Sequence, residues 1–387
     1  MEINIQKTPM SIDDLPNDID FVCVDKQTEI SNQITQNEEK TNGQQKNNLL
    51  NSIQTIHNEI FELTKTNIEV ISLITIDGDV IVYQNGITTL CGSYGSHKTR
   101  LVETIIIGAL QPDGEFNLAN IGVSEPLQIL LIDTEQDKRE FAVKIKRLLN
   151  KIPSNQLDNF YFASLLPIPR NKRTSALKQL IEFRLKENSK PLLCCLDVTT
   201  DMLMNFNNLD LTFELIDYLL NLKNDYNVSF LCVIHLNPSQ AGTPTKARGH
   251  LGTELTNKSI IECTISVDKN ECIKLKTNKI RHSIKWEKQF EYDNGLLKVL
   301  SNKDYLAREE VKIKEQRIQL LNFLADSIKQ EKVIIDFLVN DLEMSRNSAK
   351  NFLKSLIDKE LSEGKFLRLD KQGKGNANHY RIENDNE

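Results

Sequence analysis

At 387 residues the chain is long enough for two or three domains, and a composition of 39% hydrophobic and 26% charged residues suits a soluble protein. The net charge of −6 argues against a uniformly basic nucleic-acid binder. No apolar run approaches the length of a membrane span and no signal sequence is recognisable, so we expect a cytoplasmic protein without membrane contact. Seven cysteines without a C-x-x-C pair fit buried thiols in a reducing compartment.

The N-terminal region falls into three parts. Residues 1–50 are rich in Asn, Gln and acidic residues and hold nine acids against four lysines, which predicts a disordered acidic tail. A short docking segment at 19–24 is the alternative. A helix is predicted over 51–66, where apolar residues recur on one face. Two strand-like runs then flank Asp77-Gly78-Asp79, a sequence typical of a hairpin turn.

The next stretch has the order strand, glycine loop, Lys-Thr, helix. An apolar run over 87–91 leads into the loop Gly92-Ser93-Tyr94-Gly95-Ser96-His97-Lys98-Thr99. Backbone N–H groups of such a loop, with the positive end of the following helix, form an anion site. We therefore predict that these eight residues bind the phosphates of ATP. Lys98 would reach the β- and γ-phosphates, and the Thr99 hydroxyl would hold Mg²⁺.

One loop position departs from the usual G-x-x-x-x-G-K-[ST] pattern, because His97 stands where the second glycine is expected. A side chain there costs free energy if the backbone must approach the nucleotide closely. Gly95 supplies flexibility nearby, and a histidine at negative φ would point its side chain outward. An ordinary strand–turn–helix corner with an incidental Lys-Thr is the alternative interpretation of the whole stretch.

Short apolar strands alternate with amphipathic helices after an irregular piece at 111–125. The predicted strands are 127–135, 160–166, 192–196 and 228–234, and the helices between them include 176–186 and 211–223. This alternation indicates an α/β fold with a mostly parallel sheet covered by helices on both faces. Three later strand-like runs, at 260–267, 272–278 and 290–292, would close the sheet on one side.

Polar side chains follow each of these strands. In an open α/β sheet the ligand lies at the carboxyl ends of the strands, so these residues are the candidates for catalysis. We predict that Glu135 positions and deprotonates the attacking water, and that Asp197 orients Mg²⁺ through its water shell. His235 would donate a hydrogen bond to the γ-phosphate. A histidine satisfied within the fold is the alternative for that residue.

Together these motifs resemble the RecA-like ATPase superfamily over about residues 68–300, most closely its RepA-type plasmid and phage helicases and KaiC-like ATPases. The Leu-Leu-Ile-Asp-Thr-Glu run ending at Glu135 looks like the motif whose last acid is catalytic, and the strand ending at Asp197 looks like Walker B. The strand ending at His235, with the later Arg-Gly-x-x-Gly run from Arg248, is similar to the sensor strand and its loop. An Asp-Val continuation after the Walker B strand departs from the common Asp-Ser or Asp-Pro.

The resemblance also implies an oligomer, in this branch a homo-hexameric ring. The family inserts a Lys-x-Arg pair into the neighbouring subunit's nucleotide, and Lys279 and Arg281 look like that pair. Arg248 and Lys258 are rival candidates for the trans cation, and solvated side chains are the alternative for all of them. The polar loop 238–249, which carries Lys246 and Arg248, would face DNA in the central channel.

The C-terminal region changes to helices and a basic hairpin. Ser345 is a plausible N-cap of a helix whose inward stripe is apolar. The whole arrangement is similar to a winged helix-turn-helix, which would place one helix in a DNA groove and a lysine-rich wing on phosphate. Winged helices also mediate protein contacts, which is the alternative. The candidate DNA-binding residues here are Arg346, Asn347, Lys350, Lys371 and Lys374.

The sequence therefore predicts three segments: an acidic tail at 1–50, a RecA-like ATPase domain at 51–302, and a linker helix with a winged helix at 303–387. The expected activity is ATP hydrolysis by a DNA-associated oligomer, with a helicase or mobile-element replication role implied by the resemblance. A nucleotide-gated DNA-binding regulator that unwinds nothing is the alternative. DNA-stimulated turnover separates the two.

Overall fold

A computed structural model describes residues 51–66, 69–237, 246–268, 272–325, 328–342, 344–357, 360–362, 365–370 and 378–384. The predicted acidic tail at 1–50 lies outside the described residues. So do 238–245 of the predicted channel loop and the predicted wing positions Lys371 and Lys374.

Helices and strands alternate through most of the described chain. The helices are α1 (51–64), α2 (Lys98–Leu110), α3 (Lys138–Leu149), α4 (Arg173–Glu187), α5 (Leu209–Tyr226), α6 (Gly249–Lys258), α7 (Asn302–Leu324), α8 (Glu331–Asn340) and α9 (Arg346–Leu356). The strands before α6 are β1 (Ser72–Ile76), β2 (Asp79–Tyr83), β3 (Ile87–Gly92), β4 (Ile121–Val123), β5 (Gln128–Asp133), β6 (Phe160–Ser164), β7 (Leu192–Asp197) and β8 (Val228–His235). The strands after α6 are β9 (Ile261–Val267), β10 (Ile273–Ile280), β11 (Glu287–Asp293), β12 (Leu296–Val299), β13 (Lys329–Gln330), β14 (Glu360–Ser362), β15 (Lys365–Asp370) and β16 (His379–Asn384).

The protein is mixed α/β, with a nine-strand sheet in the order β12-β11-β10-β9-β3-β8-β7-β5-β6. The pairs β5–β6, β5–β7 and β7–β8 are parallel, whereas β10–β11 and β11–β12 are antiparallel. Strands β3, β5, β7 and β8 are buried along their whole lengths, which explains their nearly continuous apolar sequences. The predicted parallel sheet is thus confirmed at the level of the α/β class.

Within the described residues the chain forms two compact units. One comprises the chain up to Cys91 together with Ile105–Cys263 and Asn278–Lys285, and the other comprises Gly92–Thr104, Thr264–Thr277 and the chain from Trp286 onward. In the first unit the apolar faces of α4, α5 and α6 pack with strand residues in one core, centred on Leu196, Phe230 and Leu219.

The predicted hairpin is confirmed, and it belongs to a separate sheet. Strands β1 and β2 pair antiparallel around Asp77 and Gly78, which have φ of 48° and 84°. β4 pairs antiparallel with the other edge of β1, giving the order β2-β1-β4. The expectation that 111–125 is irregular is therefore wrong at β4, a three-residue strand whose pairing partner is some 45 residues away in the sequence.

In the C-terminal part, α7, α8 and α9 share a core that includes Leu324, Ile335 and Leu353, and β15 and Tyr380 of β16 contribute to it. The four-strand sheet there has the order β13-β16-β15-β14. The Ser345 hydroxyl accepts a hydrogen bond from the Ser348 N–H, as predicted for an N-cap. The predicted linker helix is α7, which ends at Leu324 and is followed by β13 and α8.

Helix α1 forms where it was predicted, but its apolar residues are exposed. Ile53, Ile56 and Ile60 are each more than half exposed. Among the described residues we find no helix that combines the length and the apolarity needed to cross a bilayer.

Candidate functional site

The loop between β3 and α2 holds its shape through a close backbone approach. Strand β3 ends at Gly92 and α2 begins at Lys98. A Cβ atom at Gly92 would lie 2.9 Å from the Ile265 carbonyl oxygen and still closer to the Ser96 hydroxyl, so only glycine fits there. The Ser96 hydroxyl donates to the Ser93 carbonyl over 2.8 Å, which closes the turn inside the loop.

Lys98 is folded back across this loop. Its side chain is buried, and the Nζ atom donates to the carbonyl oxygens of Gly92 at 2.9 Å and Ser93 at 2.6 Å. These bonds place the ammonium group inside the curve of the loop, at the first turn of α2. A cation at that position, beside a helix N-terminus, is suited to an anionic group.

His97 takes a conformation opposite to the one that would accommodate a side chain easily. Its φ is +65° and not the negative φ that would point the side chain outward, so the backbone has the left-handed conformation that glycine adopts readily and that histidine adopts more often than most residues. The His97 ring packs against the Tyr292 ring, with centroids 5.9 Å apart. The Arg100 guanidinium lies 5.9 Å from the centroid of the Tyr292 ring. Burial, with the nearby charge of Arg100, lowers the pKa of His97. The motif's glycine position is thus occupied by a histidine in a glycine-like conformation, with its ring beside Tyr292.

At the strand ends of the first unit, a lysine joins two carboxylates. Lys144 of α3 donates from Nζ to Asp133 Oδ2 at 3.1 Å and to Asp197 Oδ2 at 2.8 Å, and all three side chains are buried. Asp133 and Asp197 are directly opposite each other in the β5–β7 ladder. Burial alone would lower the pKa of Lys144, but the two carboxylates outweigh it and raise the pKa, so the lysine stays charged.

The turn after β5 is anchored to the end of β7. Asp133 Oδ1 accepts hydrogen bonds from the backbone N–H groups of Glu135 at 3.1 Å and Gln136 at 2.8 Å. The Thr134 hydroxyl donates to the Val198 carbonyl at 2.7 Å and accepts from the Val198 N–H at 2.9 Å. The Asp197–Val198 peptide bond is cis. Side-chain and backbone contacts thus fix the residue that carries the predicted catalytic carboxylate.

Two of the predicted catalytic residues lie together. Glu135 Oε2 is 3.8 Å from His235 Nε2, with the glutamate side chain 49% exposed and the histidine 8% exposed. A half-exposed carboxylate beside a buried imidazole can reach a ligand on the solvent side. This arrangement is compatible with a carboxylate that accepts a proton from water.

The two residues predicted to hold Mg²⁺ have suitable donors. A hydroxyl oxygen at Thr99 and a carboxylate at Asp197 are the hard ligands that Mg²⁺ takes, together with water and phosphate oxygens. One oxygen of Asp197 is already bound by Lys144, a contact that the sequence did not predict. Among the described residues no group of three or more His, Cys, Asp or Glu side chains is placed to hold a metal on its own. Each of these donors, taken by itself, is of the kind that suits Mg²⁺ when the ion keeps most of its water and phosphate ligands.

Lys279, in β10, and Arg281, just after that strand, both donate hydrogen bonds to carbonyl oxygens at the end of α6. Lys279 Nζ donates to the carbonyls of Thr256 at 2.6 Å and Asn257 at 2.8 Å. Arg281 donates to the carbonyls of Asn257 at 2.9 Å and Ser259 at 3.3 Å. Both cations therefore stabilise the negative end of the helix dipole. Burial and the adjacent Arg281 lower the pKa of Lys279.

The segment after β8 returns antiparallel to it. The Asn237 N–H donates to the Lys246 carbonyl, and the Arg248 N–H donates to the His235 carbonyl, both over 2.9 Å. The Arg248 guanidinium lies 4.8 Å from the Phe206 ring centroid. Lys246 and Lys258 are exposed. The backbone thus places Arg248 beside the strand end that carries His235.

The predicted DNA-binding side chains of α9 are at the surface. Arg346, Asn347 and Lys350 are all exposed, and Arg346 lies 3.5 Å from the Asp336 carboxylate. The inward face of α9 is formed by apolar residues, as predicted. A basic face is therefore presented by the first turns of this helix.

Lys144 and Tyr292 were not among the residues predicted from the sequence. Lys144 had a visible signal, because it falls within the apolar stripe of α3, between Phe141 and Ile145, where a lysine must find buried partners. Tyr292 gave no such signal, since its contact with His97 depends on tertiary structure. Comparisons with known protein families and with curated individual proteins gave no match.

Proposed function

We propose that this protein is a cytoplasmic RecA-like ATPase that binds ATP on the loop 92–99 and hydrolyses it. The observation that carries the proposal is the buried Lys98 ammonium, held inside a tight glycine loop at the start of α2. Loop N–H groups, the helix N-terminus and a fixed cation together suit a triphosphate. When bound, Mg²⁺ would neutralise charge on the phosphates, with Thr99 and Asp197 as its protein-side partners.

In this proposal Glu135 is the general base and His235 senses the γ-phosphate. Support comes from the separation of 3.8 Å between their side chains and from the anchoring of the Glu135 backbone by Asp133. A positioned base accounts for about 10² to 10⁴ of rate acceleration. The direct test is the ATPase rate of one purified sample with and without single-stranded DNA. Stimulation by DNA supports a helicase or replication role, and slow DNA-independent turnover supports the nucleotide-gated regulator.

We further propose that the C-terminal part is a winged helix that binds DNA through α9. The exposure of Arg346, Asn347 and Lys350 on the first turns of that helix supports this assignment. Lys246 and Arg248 are proposed to contact DNA separately, in the channel of a hexameric ring.

Lys350→Gln is expected to weaken DNA binding and to reduce the salt dependence of the affinity. A lost phosphate contact reduces the steepness of the plot of log binding constant against log salt concentration by about 0.9. Titration of labelled DNA at several salt concentrations measures both. Lys354→Gln, an identical charge change near the end of the same helix, is the control and should have a smaller effect. Equal slopes for all three proteins would contradict DNA contact by the first turns of α9.

Arg281→Ala is expected to bind ATP normally and to hydrolyse it poorly, because a trans arginine contributes about 10³ to 10⁵ in kcat. Mixing this variant with Lys98→Ala should restore part of the activity, since a mixed interface pairs an intact loop with an intact arginine. Lys285→Ala removes an exposed cation from the same segment and is the control. Because Arg281 also binds α6 carbonyls, thermal melting of each variant must accompany the assay. Activity that is linear in enzyme concentration, without rescue on mixing, would exclude the trans role.

A further inference from the structure

We propose that Lys144 is a positioning residue, which holds the turn 133–136 so that Glu135 is correctly placed for catalysis. The effect on catalysis rests on the proposed function. Its structural basis is the set of contacts that joins the buried ammonium group to the Glu135 backbone.

The first step concerns the carboxylates that Lys144 binds. Asp133 and Asp197 are paired across the adjacent parallel strands β5 and β7, and both side chains are almost completely buried. Like charges directly opposite each other destabilise a sheet, and burial strengthens the repulsion. The ammonium group of Lys144 lies within 3.1 Å of an oxygen of each. The charge of Lys144 therefore allows two adjacent strands to end in acids that lie directly opposite each other.

The second step leads from the ammonium group to the catalytic residue. Lys144 holds Asp133 Oδ2, which orients the carboxylate so that Oδ1 accepts the N–H groups of Glu135 and Gln136. The Thr134 N–H donates to the Asp197 carbonyl over 3.0 Å. Lys144, acting through Asp133, thus sets the position of the Glu135 backbone together with the Thr134 bonds to the end of β7, and the side chain extends from that backbone toward His235.

The third step concerns why position 144 holds a charged residue and not an apolar one. A buried ion pair is often no more stabilising than well-packed apolar side chains of similar volume. An apolar residue at 144 could fill the space, but it could not fix the orientation of the Asp133 carboxylate. Orientation is what a catalytic turn requires, since small displacements of a catalytic group cost large factors in rate.

Lys144→Met tests the inference, with Lys146→Met as the matched control two positions along the same helix, where the lysine is exposed. Two measurements are made on the full chain. Hydrogen exchange at the amides of Glu135 and Gln136 should accelerate at least about tenfold in Lys144→Met, because their acceptor is no longer oriented. The kcat should fall at least about tenfold, with KM for ATP changed less than about threefold, because ATP is proposed to bind to the loop 92–99, which the substitution does not touch. Lys146→Met should match the wild type in both.

A second variant addresses folding, since two buried carboxylates without a cation destabilise the protein. Lys144→Met/Asp133→Asn removes one charge of each sign and should restore the melting temperature while kcat stays low. Full recovery of kcat in the double variant would mean that Lys144 only balances charge, and would overturn the inference. Unchanged exchange at 135 and 136 in a folded Lys144→Met protein would overturn it too. A wild-type protein without turnover would overturn the proposed function alone, because the exchange experiment needs only the folded chain.

Discussion

Lys98→Ala is expected to abolish ATP binding while the protein remains folded. Nζ of Lys98 is the cation fixed inside the loop by the Gly92 and Ser93 carbonyls, and alanine leaves that position without charge. Hydrogen bonds to charged groups contribute about 1.5–3 kcal/mol each, so loss of two such bonds should weaken ATP binding by at least about 10²-fold. Calorimetric titration with ATP, alongside the steady-state ATPase rate, measures the effect.

The control for this experiment is Lys186→Ala, which removes an exposed lysine from the end of α4. It should bind ATP like the wild type. Circular dichroism and thermal melting establish that both variants are folded. If folded Lys98→Ala binds and hydrolyses ATP as the wild type does, the loop 92–99 is an ordinary strand–turn–helix corner and the active-site assignment fails.

Sequence patterns predicted the parts of the fold whose structure is set locally. Strands β5, β7 and β8 are each buried throughout, so their apolar runs stand out against the helices around them. The Ser345 cap and the hairpin at Asp77-Gly78 depend on neighbouring residues alone. The turn inside the glycine loop is also local, because the Ser96 hydroxyl donates to the Ser93 carbonyl.

Features that depend on tertiary contacts could not be predicted in this way. Strands β4 and β12 have only three and four residues, and they exist because of their pairing partners. Helix α6 begins at Gly249 and contains Gly252, a poor helix former that is required because a Cβ there would lie 2.5 Å from the Ala247 backbone. The sequence over 249–258 therefore reads as a loop, although it folds as a helix.

In the candidate site, too, some features follow from local sequence and others depend on tertiary contacts. Glu135 and His235 were predicted from the rule that polar strand ends form sites, and their side chains do lie together. The roles proposed for them remain predictions. The position of Lys144 in the apolar stripe of α3 signals a buried lysine, but its partners depend on the β5–β7 register, which places Asp133 opposite Asp197. The contact of His97 with Tyr292 likewise depends on tertiary structure, because Tyr292 comes from a strand about 195 residues further along the chain.

Glu135→Gln is expected to retain ATP binding and to lose hydrolysis. The substitution keeps the size of the side chain and the backbone N–H that Asp133 accepts, but the amide cannot take a proton from water. Removal of a general base should lower kcat by about 10²- to 10⁴-fold while KM changes little, because the carboxylate acts mainly in the transition state. Single-turnover hydrolysis and equilibrium ATP binding, measured on the same sample, separate the two effects.

Glu140→Gln makes the same chemical change on the exposed first turn of α3 and serves as the control. Its turnover should equal that of the wild type. The proximity of Glu135 to His235 makes the double variant Glu135→Gln/His235→Ala informative as well, because residues that act together in one step lose activity non-additively. We expect the double variant to be scarcely slower than Glu135→Gln alone. Equal losses of affinity and rate in Glu135→Gln would instead assign the glutamate to ground-state binding, and the attacking water would need another base.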